Sequence, residues 1–138
     1  MSSPPTPKPS APPPTLPTGE APPAPSGPPA RVALADARVA PPQPGRASAQ
    51  LLTHGSLEVR FYAPRGSDPQ EPHERDEVYV IASGRGRFVR GGERVPFEPG
   101  DVLFVRAGVR HRFEEFDDDF ATWVFFYGPE GGEAPSAP

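Results

Sequence analysis

Residues 71–84 read EPHERDEVYVIASG. One histidine stands among Glu71, Glu74, Asp76 and Glu77, and the chain then runs directly into Val-Tyr-Val-Ile. A solvated loop has no use for that apolar run. A buried strand does not open with so many ionisable groups unless a partner offsets their desolvation. Read as a strand, Glu71, His73, Glu77, Tyr79 and Ile81 share one parity and therefore one face. A helix would also bring His73 and Glu77 together at i, i+4, but Pro72 and the β-branched, aromatic run favour the strand. An imidazole and a carboxylate thus converge on an apolar side.

The flanking sequence repeats this short-strand pattern. SAQLLTH (48–54), Gly55-Ser56 and LEVRFYA (57–63) read as a hairpin, with Leu57, Val59 and Phe61 forming an apolar face against Glu58, Arg60 and Tyr62. PRGSDPQEP (64–72) is loop chemistry. After residues 77–83 come RFVR (87–90), ERVPFE (93–98), DVLFVR (101–106), VRHRFEE (109–115) and FATWVFFYG (120–128), separated by glycine, proline or aspartate turns. About eight short strands at regular spacing predict a sandwich or barrel, with residues of one parity lining its interior.

Composition bounds the rest. Of the 24 prolines, 16 lie in residues 1–45, and every Trp, Tyr and Phe lies after residue 60. The first segment cannot bury enough apolar surface to order itself, so a disordered Pro-rich tail is expected over 1–45. The folded unit is expected over 46–130, with a short prelude near 31–40 and a second disordered tail at 131–138. RVALADARVA (31–40) reads as a helical turn around Leu34 or as a short strand. The tail's PxxP spacings, such as Pro4 to Pro7, arise readily in any stretch this rich in proline.

Net charge is -4. The tail contributes about +1 (Lys8, Arg31 and Arg38 against Glu20 and Asp36), leaving about -5 on the folded part. With its arginines scattered, the chain has no basic patch for nucleic acid. It has no run long enough to span a bilayer, and MSSPPTPKPS lacks the apolar core of a signal peptide. With no cysteine, disulfides, thiolate ligands and thiol nucleophiles are all excluded. A cytoplasmic protein is expected.

A metal ion accepts imidazole and carboxylate together, and His111 is the third candidate. In VRHRF it shares a face with Phe113, opposite Arg110 and Arg112. Two imidazoles and a carboxylate make the facial set that holds iron(II) and leaves positions open; manganese, nickel, zinc and cobalt suit the same donors. No serine–histidine–acid set is readable.

These residues resemble the two motifs of the cupin family. His73, three residues, Glu77, six residues and Gly84 match the second half of the first motif. Gly100, Gly108 and His111 fall at the offsets of the second, and the resemblance covers about 46–128. It implies an all-β double-stranded β-helix, or jelly-roll barrel, with His73, Glu77 and His111 as ligands of one divalent metal ion. The first histidine of His-x-His is replaced by Glu71, which is the fourth candidate ligand; Gln70 or a water are the alternatives there. Arg106 replaces the motif proline and Glu115 its closing asparagine.

The expected function is a metal-dependent enzyme of dioxygenase or isomerase type acting on a small molecule, with Glu115, Tyr79 or an unbound Glu71 as proton carriers. The alternative is a non-catalytic metal or small-molecule binding or sensing module. A third reading makes the barrel inert and the tail the interaction element. A homodimer is expected, because covering a sheet edge favours a small barrel.

Overall fold

The computed structural model describes residues 27–135. The expectations for residues 1–26 and 136–138 lie outside the described residues. One short helix, α1 (Leu34–Val39), precedes eight strands. These are β1 (Ala49–His54), β2 (Leu57–Tyr62), β3 (Asp76–Ser83), β4 (Gly86–Arg90), β5 (Glu93–Phe97), β6 (Val102–Val105), β7 (His111–Glu114) and β8 (Ala121–Tyr127). They form a five-stranded sheet in the order β1-β2-β8-β3-β6 and a three-stranded sheet in the order β5-β4-β7. The strand spacing predicts a sandwich or barrel, and this all-β arrangement is the jelly-roll that the resemblance implies.

Register shows why the parity of residues 77–81 matters. In β3, Glu77 stands opposite Val105 and Phe126, Tyr79 opposite Leu103 and Val124, and Ile81 opposite Thr122. This row faces the other sheet. Tyr79, Ile81, Val105, Val124 and Phe126 join Phe88, Phe97 and Phe113 in one buried cluster. The aromatic rings meet edge-on or tilted, for example Tyr79 on Phe113 at 4.9 Å and Phe97 on Phe113 at 5.4 Å. Each such ring contributes roughly 1.5–3 kcal/mol by leaving water.

The β2 expectation needs correcting. Phe61 does not face the interior; it packs outward with Ala37 of α1 and Ala121. Tyr62, on the face read as polar, belongs to the interior cluster. Both faces of β2 are buried, so alternation alone could not say which one looked inward. Arg60 is 1% exposed. Its guanidinium is held by Ser48 Oγ at 2.6 Å, Glu58 Oε2 at 2.8 Å and Gln43 Oε1 at 2.6 Å, the partners a buried charge requires.

Two segments grouped with the tails are structured. Residues 34–39 form α1, the helical alternative for this stretch, and Ala37 anchors it at 1% exposure. At the other end, the Gly131 N–H donates to Glu74 O at 2.7 Å and the Glu133 N–H to Asp76 Oδ2 at 2.8 Å. Residues 131–133 therefore dock on the loop that opens β3.

Candidate metal centre

Glu77 lies on the inner row of β3, with no exposed surface. His111 opens β7 in the opposite sheet and is 5% exposed. The Val109 carbonyl lies 2.9 Å from His111 Nδ1 and accepts its proton, which leaves the Nε2 lone pair free in the neutral ring. Nε2 points at Glu77 Oε1, 2.5 Å away. His73 Nε2 lies 3.9 Å from Glu77 Oε2. The three ligand atoms fall within 4.8 Å of one another, and the two imidazole rings stand 5.2 Å apart.

His73 reaches this point from a loop, not from a strand, because β3 begins only at Asp76. Backbone bonds fix the loop. The Gly108 N–H donates to His73 O at 2.7 Å, tying the loop to the turn that precedes His111. The Asp76 carboxylate accepts from the Ala107 N–H at 2.8 Å as well as from Glu133. Phe126 meets the His73 ring edge-on at 5.0 Å. The two motifs are thus joined by backbone and carboxylate bonds between residues more than thirty apart in sequence.

Glu71 is not brought into the cluster. It is exposed, because the parity argument requires an extended chain and residues 71–75 are not strand. Gln70 comes closer: its Oε1 is 3.1 Å from His73 Nε2 and 3.1 Å from the Tyr79 hydroxyl. Glu115 lies beyond the far end of β7, exposed and paired with Arg87 and Arg94, each at 3.1 Å. Its backbone is left-handed, with φ 50°. Sequence reading missed Asp68, which is 8% exposed. It sits in PRGSDPQ, where aspartate reads as a turn residue, and nothing local marks it as buried.

The electrostatics follow from burial and from Glu77. Burial lowers the pKa of His73, and Glu77 only partly opposes this. At His111 burial also acts downward, but the Glu77 carboxylate close beside it outweighs this and the pKa is raised. Burial, and then Glu77, holds the Tyr79 hydroxyl protonated well above the phenol range. Both Glu77 oxygens and His111 Nε2 are buried without a hydrogen bond of acceptable geometry, although Nε2 and Oε1 are close. Closeness without donor–acceptor alignment is how atoms sit when they converge on a shared point. Orphaned buried polar atoms are rare and point to a missing partner. Two imidazoles and a carboxylate fit a divalent ion at that point. A cleft of about 560 Å³, lined by Gln70, Glu71, Pro72, Val89, Gly91, Arg110, His111 and Arg112, opens beside it.

An all-β jelly-roll thus brings half-buried His73 and buried Glu77 and His111 together from a loop and two facing strands. The family model described as "Cupin domain" matches residues 43–127, so this chain belongs to the cupin family. Its relatives include an uncharacterized protein of Streptomyces coelicolor, 37% identical over 83 residues, covering 59% of this chain and 79% of that protein. The HTH-type transcriptional activator RhaS of Yersinia pestis is 37% identical over 75 residues, 54% of this chain. That match spans only 27% of RhaS. Among solved structures, a cupin-2 domain of Rhodospirillum rubrum aligns with TM-score 0.51 and 20% identity, covering 66% of this chain and 64% of that one. A conserved protein of unknown function from Streptococcus pyogenes aligns with TM-score 0.50 and 20% identity, over 60% and 74% of the two chains. Both alignments support the fold.

Proposed function

We propose that this cupin binds one divalent metal ion through His73, Glu77 and His111 and receives a small molecule at that ion, as an enzyme of dioxygenase or isomerase type. The observation that carries the reading is the Glu77 carboxylate, enclosed on all sides, unsatisfied by hydrogen bonds and faced by both imidazoles. A bound ion would supply Lewis-acid polarisation of a substrate oxygen, or a position for dioxygen. The chain's own residues prepare the surroundings. His111 is held in one tautomer by Val109. Tyr79 keeps a proton that it donates at the edge of the cluster. Val105 and Phe126 flank Glu77 and exclude water from that side. Arg110, Arg112 and Glu71 give the adjoining cleft a charged rim.

Similarity to part of RhaS supports a second reading, a non-catalytic module in which ligand binding is the output. The two readings part experimentally. Protein loaded with manganese, iron or cobalt either consumes dioxygen or converts candidate small acids, sugars and diketones, or it binds them, with a rise in Tm, and turns over none. The metal reading common to both is tested by elemental analysis of protein purified without chelator. One ion per chain is expected, with loss in His73→Ala and His111→Ala. Metal-free wild-type protein after supplementation would overturn it.

We also place the protein in the cytoplasm as a homodimer. The outward face of the five-stranded sheet carries Val78 opposite Phe104 and Val80 opposite Val102. Val102 is 66% and Phe104 38% exposed, an apolar patch that a second copy would cover. Among the described residues no helix is long and apolar enough to cross a membrane.

A further inference from the structure

Gln70 lies in the loop before His73, at the end of a buried hydrogen-bond chain that the proposed ligand set does not use. Its amide has only one chemically consistent orientation. Asp68 Oδ2 lies 2.7 Å from one end of the Gln70 amide, and an ionised carboxylate can only accept, so that end is the Nε2 donor. The carbonyl oxygen is thereby turned toward the cluster, where it lies 3.1 Å from His73 Nε2 and accepts from the Tyr79 hydroxyl at 3.1 Å. Asp68 is itself fixed. It accepts from the Phe113 N–H at 2.8 Å and from the Tyr62 hydroxyl, and it is 8% exposed. Burial, reinforced by Asp68, raises the Tyr62 pKa, which favours its hydroxyl as the donor.

Donors held by one ion at about 2.0–2.2 Å stand roughly 3 Å from their neighbours around it. The Gln70 oxygen and His73 Nε2 already keep that separation, whereas Glu71 is exposed and outside the cluster. We propose that the Gln70 carboxamide oxygen is the fourth protein donor of the centre, and that Asp68 positions it by holding the amide nitrogen. The inference rests on the metal reading above and makes the site a mixed set of two imidazoles, a carboxylate and a neutral amide. A neutral oxygen in the fourth place leaves one negative charge in the donor set, where Glu71 would make two. Such a set suits ions that accept oxygen and nitrogen together.

Cobalt(II) titration of the full chain, followed by calorimetry and by the visible spectrum, tests this without any need for turnover. Wild-type protein is expected to bind one cobalt ion. Gln70→Ala is expected to lose at least tenfold in affinity and to show a changed cobalt band, and Gln70→His, which returns a donor, to recover affinity. Asp68→Ala removes the acceptor that holds the Gln70 amide nitrogen and is expected to shift the cobalt band in the same direction, as is Gln70→Leu, which keeps the side-chain bulk without a donor atom. Gln70→Leu also answers the question if Gln70→Ala fails to fold. If wild-type protein binds cobalt, and Gln70→Ala or Gln70→Leu binds it with unchanged affinity and spectrum, Gln70 is not a ligand and the three-residue site stands alone; an unchanged Asp68→Ala removes Asp68 as the residue that positions it. If wild-type protein binds no cobalt, the metal reading falls first and this inference with it.

Discussion

Replacing Glu77 with glutamine separates the stability of the fold from the chemistry of the site. Glu77 is wholly enclosed, and its oxygens are satisfied only by charge from His111 and His73. An enclosed carboxylate of this kind carries a desolvation penalty of several kcal/mol that pairing only partly offsets. Glutamine keeps the shape and removes the charge, and His111, freed from Glu77, can shed its proton instead of being left as a buried cation. The metal-free variant is therefore expected to lose less than about 2 kcal/mol, short of the roughly 3–5 kcal/mol that a stranded buried charge costs. The metal response moves the other way. An ion at one hundred times its Kd stabilises the wild type by about 2.7 kcal/mol. For a folded unit of this size that is roughly 10–20 °C in Tm. Glu77→Gln is expected to lose nearly all of that shift. Thermal melts of both proteins, with chelator and with manganese or nickel, provide the readout. A variant that keeps the wild-type metal shift would refute the role assigned to Glu77. A metal-free variant destabilised by more than about 2 kcal/mol would refute the charge argument behind it.

Metal affinity is expected to fall on acidification in two stages. His111, raised by Glu77, must lose a proton to bind, so affinity drops about tenfold per pH unit beginning above the usual histidine value; His73, lowered by burial, steepens the slope only below it. The same groups act oppositely on metal-free stability. The His111 contribution is full below its unfolded pKa and fades as pH rises through the raised folded value. The His73 contribution is full above its unfolded pKa and fades as pH falls through the lowered one. A pH-independent Kd between pH 5 and 8 would contradict the ligand set. Gly84→Ala is expected to destabilise by about 3 kcal/mol or more in denaturant melts, because φ is +82° and a Cβ would sit 2.5 Å from Phe120 Cα; wild-type stability would show that this approach is not tight. Val102→Glu is expected to shift a dimer toward monomer in light scattering with metal content unchanged, and a monomeric wild type would remove the dimer.

The fold was legible because turn residues punctuate it. Gly55, Gly91-Gly92, Gly100 and Gly108 mark the ends of strands whose positions follow directly, and Glu77, Tyr79 and Ile81 take the inner row that their parity assigns. Where legibility stopped, it stopped for tertiary reasons. The inward face of β2 could not be chosen because α1 covers the outer face, making Phe61 as buried as Tyr62. Glu71 took the parity of His73 on paper, yet both precede the strand, and only His73 is pulled in, by the Gly108 bond. Gln70 was legible only as an alternative beside Glu71, and Asp68 carries no local signal, since their contacts are with Tyr79, Phe113 and Tyr62, all remote or on other strands.

Anomalous diffraction at the absorption edge of a supplied metal is the most direct measurement of the central claim. The account predicts one strong peak per chain between His73 Nε2, the Glu77 carboxylate and His111 Nε2. A peak elsewhere on the chain, or none in crystals grown with excess metal at neutral pH, would contradict it.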